Sequence, residues 1–145
     1  MVKILTGLLG VLVFAFSCVG TDFITDPPDE MTSMEVTGDS RTGMFVQKPG
    51  SSYNVRGTAT LEKQGNGNLM LNFGSDFSSS NGPGLAVFLS TTSGRNSGSL
   101  NLGNLQRTSG NQDYSVSGNV ELGDFDWVII HCVPFNITFG FAELK

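Results

Sequence analysis

From about Gly43 onward, apolar and polar residues alternate in short runs. Tyr53, Val55, Gly57, Ala59 and Leu61 interleave with Asn54, Arg56, Thr58, Thr60 and Glu62, a period of two that predicts a half-buried β-strand. Residues 64–68 read as a hairpin connection, and Leu69, Leu71 and Phe73 mark the returning strand. Residues 74–84 form a long loop that ends sharply in Gly-Pro-Gly, and residues 85–89 are apolar on both faces, as in a central strand. A second polar loop follows at residues 90–98. Short strands are then expected around Leu100, Tyr114 and Val120, with turns between them, before the apolar run of residues 125–144. Turn signals spaced by about eight to twelve residues predict an all-β fold, a single antiparallel β-sandwich or barrel-like domain over residues 43–145. The expected core includes Leu61, Leu71, Phe73, Val87 and Tyr114, together with Tyr53, Trp127, Phe135, Ile137 and Phe139.

The first residues follow a different rule. After Lys3, an apolar run covers residues 4–16, too short to span a bilayer comfortably but of the size of a secretory signal core. It ends in Ala15-Phe16-Ser17-Cys18, which resembles the lipobox of bacterial lipoproteins. Residues 1–18 are therefore expected to be a lipoprotein-type signal peptide, with Cys18 the point of lipid attachment. Residues 19–42 show no sustained periodicity and carry six acids against one base, Arg41. Low hydrophobicity and charge of one sign predict a flexible tether that holds the domain off a membrane.

Composition narrows the function classes. The chain of 145 residues is one domain's worth, with 19 glycines and 14% charged residues. Its net charge of −5 is carried almost wholly by the tether. From Gly43 onward seven acids meet six bases, so no basic patch is available to bind nucleic acid. No phosphate loop, dinucleotide fingerprint, paired CxxC or nucleophile elbow is present, and no metal site is expected.

The candidate chemistry lies in the C-terminal run, which holds the only histidine, His131, beside Cys132. Neighbours along a strand point to opposite faces, so the pair is not expected to converge as a protease-like dyad or on one metal. Pro134 decides the parity. If the strand runs on past it, His131 joins the odd-numbered apolar residues in the core and Cys132 faces out. If the chain turns at residues 133–135, Cys132 is buried with Val128 and Ile130, which is the arrangement preferred here. A haem thiolate at Cys132 would need an apolar pocket and a second ligand from Met44, Met70 or His131. A buried structural cysteine is the plain alternative.

The order of several segments resembles the DM-thirteen domain: YNVRGTATLEK, LMLNF, the Asn-Gly-Pro loop running into LAVFLS, LNLGNLQRTSGNQDYSV and DWVIIHCVPFNITFGFAEL. The resemblance covers residues 53–144. It implies a redox or electron-transfer module of secreted and membrane-attached proteins, sometimes accompanying a haem-binding β-sandwich. It also implies that Cys132 is the redox group or the ligand of a prosthetic group, with haem as one candidate and His131 as a neighbour. Two positions depart from the pattern: His131 stands where an aromatic residue is more usual, and Gly84 where an acid is common. The expectation is thus a module rather than an enzyme, lipid-anchored on the periplasmic or cell-surface side of a bacterial envelope, with a possible protein redox partner. A non-catalytic envelope binding module, in which Cys132 is structural and residues 74–84 and 90–98 do the binding, is the second reading.

Overall fold

The computed structural model describes residues 39–145; the signal peptide and most of the tether expected from the sequence lie outside the described residues. Nine strands form the domain: β1 (Ser40–Gln47), β2 (Val55–Lys63), β3 (Leu69–Phe73), β4 (Ser78–Ser79), β5 (Leu85–Ser90), β6 (Leu100–Asn104), β7 (Gln112–Val116), β8 (Trp127–Cys132) and β9 (Ile137–Glu143). No helix occurs among the described residues. The pairings are all antiparallel, in the order β6-β5-β8-β9-β1-β2-β3-β7, with β4 beside the start of β2. The sheet curls until its two edge strands, β6 and β7, nearly meet, so the all-β expectation holds as an almost closed barrel.

Alternation along the strands fills the inside. Val55, Ala59 and Leu61 of β2, Leu71 and Phe73 of β3, Val87 and Leu89 of β5, and Val128 and Ile130 of β8 point inward and are buried. Phe45, Phe73 and Phe77 meet at 4.6–5.3 Å between ring centroids, a packed aromatic knot at the centre. Every residue of β5 is buried, because the strand runs between β6 and β8 and its outer face is covered too. That outer cover is a second, smaller cluster of Ala86, Phe88 and Ile129 with Phe141 packed against it.

Side chains of β7 hold the connection that joins it to β6. Tyr114 Oη donates to Gln112 Oε1 at 2.8 Å and accepts from the Gln106 amide at 3.1 Å. Gln112 also accepts from the Arg107 amide at 3.0 Å and donates to the Arg107 carbonyl at 2.8 Å. Burial pushes the Tyr114 hydroxyl above its usual range.

Antiparallel connection gives the barrel two ends. The chain enters at Asp39 and leaves at Lys145 on one end, together with residues 64–68, 91–99 and 117–126. The opposite end gathers residues 48–54, 74–84, 105–111 and 133–136. The entry end is clamped by Arg41, whose guanidinium donates to the carbonyls of Phe125 at 2.8 Å, Leu122 at 3.4 Å and Leu144 at 2.7 Å, and to Asp126 at 2.9 Å. Arg41 lies in the stretch read as tether, whereas β1 already begins at Ser40. Its strand character was hidden because Arg41 and Thr42 are polar and Gly43 is small. A Cβ on Gly43 would collide with the Glu143 carbonyl, so glycine is what lets the C-terminus pack there.

Candidate functional site

Cys132 ends β8, and its direction follows from the turn after it. Residues 133–136 reverse the chain, with Val133 accepting from the Asn136 amide at 3.2 Å and Asn136 in the left-handed region at φ 53°. Asparagine tolerates that conformation better than branched residues do. The turn resets parity, as preferred from the sequence, and Cys132 points inward with Val128 and Ile130 at 1% exposure. It is the free cysteine of the described residues.

The thiol lies under a cap. Cys132 Sγ donates to the carbonyl oxygen of Pro83 at 3.0 Å, and the Val133 amide donates to the Gly84 carbonyl at 3.0 Å. Gly82 and Gly84 make the close approach possible. A Cβ on Gly82 would stand 2.6 Å from Phe139 Cζ, and one on Gly84 would stand 2.8 Å from Pro134 Cδ. Gly84 also has φ +56°. A residue with a Cβ could not adopt this arrangement without moving Pro134. The polar hollow beside the cap is lined by Gly82, Gly84, Leu85, Asn104, Leu105, Gln106, Arg107, Thr108 and Ser109, and Cys132 is not part of its wall.

His131 points the other way, onto the outer face, and is nonetheless only 3% exposed. Nδ1 faces Thr138 Oγ1 at 3.1 Å and Nε2 faces Asn136 Oδ1 at 3.2 Å. With the Asn136 oxygen accepting, Nε2 carries the proton and Nδ1 accepts from the threonine hydroxyl. The ring meets Phe88 edge-on at 5.9 Å, and the Arg95 guanidinium lies over the Phe88 ring, 5.1 Å from its centroid. Burial, then the Arg95 charge, hold His131 below its usual 6.5, against the raising effect of Asn136 and with a smaller lowering effect of Lys48. His131 is therefore a neutral, doubly bonded pin of the β8–β9 hairpin. His131 and Cys132 do not converge, as alternation requires.

The same geometry tests the haem expectation. Sγ faces a carbonyl, not a cavity, and the cluster around it is filled by Leu85, Ile130 and Phe139. His131 lies on the opposite face, Met44 is exposed on the outside of β1, and Met70 lies outside β3 against Ser115. Among the described residues no second ligand faces Cys132, and these residues do not fit a haem.

Four of the expected core residues are not buried. Tyr53, Phe135 and Ile137 are exposed: Tyr53 precedes β2, Phe135 is in the turn, and Ile137 lies at the barrel mouth. Trp127 is half-buried on the outer face, against Phe141. The residues missed from the sequence are the partners of the two candidates: Pro83 through its carbonyl, and Thr138 and Asn136 through their side chains. The only available signal for Pro83 was the Gly-Pro-Gly immediately before β5, the strand that pairs with β8.

The fold is an all-β, nearly closed antiparallel barrel. A family model described as Electron transfer DM13 matches residues 48–144, more than half of the chain, and the protein belongs to that family. No curated protein and no solved structure matches the chain.

Proposed function

We propose that this electron-transfer family member works by thiol redox at Cys132, standing off the outer side of a bacterial membrane on residues 19–39 from a lipid on Cys18. The observation that carries the reading is the hydrogen bond from Cys132 to Pro83 beneath a glycine-proline cap at the mouth of the barrel. The group that the thiol bonds belongs to the short segment before β5, at the end of the barrel where β8 stops. With the cap lifted, the thiol loses its proton to water and the thiolate attacks a partner disulfide. A new S–S bond forms to Cys132, the partner's own S–S bond breaks, and its second sulfur leaves as a thiolate. A further external thiol then attacks the partner sulfur of the mixed disulfide and returns Cys132 to the thiolate.

The test uses the full chain and a small neutral disulfide under native conditions. Cys132 should form the mixed disulfide faster than the barrel unfolds globally, and Cys132→Ser should form none. A native protein that reacts only when denatured would sink the reading. The alternative, a non-catalytic binding module, is favoured by the near-complete burial of Cys132, the ordinary state of a structural cysteine. In that case a folded Cys132→Ser protein retains full function.

A further inference from the structure

Charged groups sort by barrel end. At the entry end six acids (Asp39, Glu62, Glu121, Asp124, Asp126, Glu143) accompany four cations. Three of those cations are paired: Arg41 with Asp126 at 2.9 Å, Lys63 with Glu121 at 3.5 Å and Lys145 with Glu143 at 3.2 Å. The fourth, Arg95, lies over the Phe88 ring. At the thiol end Lys48, Arg56 and Arg107 are exposed and make no ion pair among the described residues. The two acids there are Asp76 and Asp113. Asp76 is engaged by the Thr58 amide at 3.1 Å and hydroxyl at 2.8 Å. Three cations against two acids leave this end positive by one, while four against six leave the entry end negative by two.

The thiol end is also where apolar side chains are left in water. Phe135 is 65% exposed at the hairpin tip and Val133 46%, with Ile137 and Tyr53 beside them. Tyr53 stacks on Phe139 at 3.9 Å and 2°, and the Phe139 ring in turn lies against Gly82 of the cap. Lys48, Tyr53 and Ile137 line one shallow hollow, and Arg107 lines another with Gly82 and Gly84. An apolar centre with a rim of unpaired cations therefore surrounds the cap of Cys132. A four-residue turn has no folding need for an exposed phenylalanine, whereas aromatic residues with a cationic rim are the composition of a binding surface.

We propose that this end is the docking face for a protein partner that presents an acidic rim around an apolar patch. The inference rests on the reading of Cys132 as the redox group, since docking here would bring the partner's disulfide to the cap. Opposite charge at the contact speeds encounter, and the negative entry end repels the same partner, so the two ends together select orientation. So small a patch suits a short-lived encounter, of the kind that buries less than about 1,200 Å².

The probes are two cystine peptides, identical except that glutamates flanking a phenylalanine in one are lysines in the other. Binding is followed by amide chemical shifts on the full chain carrying Cys132→Ser, and mixed-disulfide formation on the wild-type full chain. The acidic peptide should shift residues 133–137, Lys48 and Tyr53, and bind about tenfold more tightly than the lysine peptide. Lys48→Glu with Arg107→Glu should remove that preference, as should high salt, and Phe135→Ser should weaken the acidic peptide with no change in fold. Equal binding of the two peptides, binding of neither, or shifts mapping elsewhere overturns the proposal. If the map holds while wild-type Cys132 reacts with neither peptide, the docking face stands and the redox reading falls. If Cys132 reacts equally with both and no map appears, the redox reading stands and the docking face falls.

Discussion

Gly84 and Pro134 approach so closely across the thiol end that a Cβ on Gly84 would stand 2.8 Å from the proline Cδ. The contact joins the cap to the β8–β9 turn, and the left-handed φ of +56° adds a second reason for glycine. Gly84→Ala should destabilise the fold by about 1–3 kcal/mol, through strain and displacement of one of the two segments. Because the displaced segment covers Cys132, alkylation of the native thiol should accelerate severalfold. Mass-spectrometric alkylation rates beside urea denaturation check both; a destabilised variant with an unchanged native alkylation rate would show that the cap does not gate the thiol.

His131 sets a pH dependence of known sign. Its folded pKa is pushed below the unfolded value by burial and by Arg95, so at pH well above 6.5 it is neutral in both states and contributes nothing. As pH falls through 6.5 the unfolded chain takes up a proton that the folded one resists, and stability is lost. The wild type should therefore lose more stability than His131→Gln between pH 7.5 and pH 5. Urea midpoints of both proteins at the two pH values give the comparison, and parallel losses would exclude His131 as the source.

Arg41 offers a test of the entry end. Four acceptors converge on one guanidinium, three of them main-chain carbonyls of the two segments that close the barrel there. Lysine keeps the charge but loses the planar fork, so Arg41→Lys should cost about 1–2 kcal/mol and Arg41→Ala about 2–3 kcal/mol. Thermal melts with hydrogen exchange at Leu144, whose amide bonds to the Asp126 carbonyl at 2.8 Å, would report the loosened terminus.

The seam should be equally sensitive to Gln112. Gln112→Ala removes the partner of the Tyr114 hydroxyl and both Arg107 backbone bonds in a buried place, for a loss of about 2–3 kcal/mol. Gln112→Glu sets a carboxylate oxygen against the Arg107 carbonyl in a buried place, so at neutral pH it should lose at least as much as Gln112→Ala. Denaturant unfolding of the three proteins gives the order.

Much of this architecture was legible because alternation needs only local rules. β2, β3 and β5 could be read from Val55 to Leu61, Leu69 to Phe73 and the doubly apolar residues 85–89, and each fills the face that its pattern assigns. The C-terminal run resisted the same counting. Odd parity from Trp127 to Phe141 is interrupted twice, by the turn at 133–136 and by a register shift opposite Ile130 and His131. The shift leaves Phe139 unpaired and turned into the barrel with Cys132, while Phe141 joins Ile129 outside. Ile137 and Phe135 look like core residues only if both interruptions are ignored. The burial of His131 was invisible for another reason: the ring it packs against, Phe88 of β5, is a long way off in sequence.

A strand with bare amide and carbonyl groups along its side invites another chain to pair with it. In this barrel β6 and β7 are the two such margins, and each is turned toward the other, with Gln112 and Tyr114 occupying groups on the connection between them. The margins thus shield one another without being zipped into a continuous ladder. That seam is a line along which, if Gln112 is lost, the barrel would become a template for its own copies.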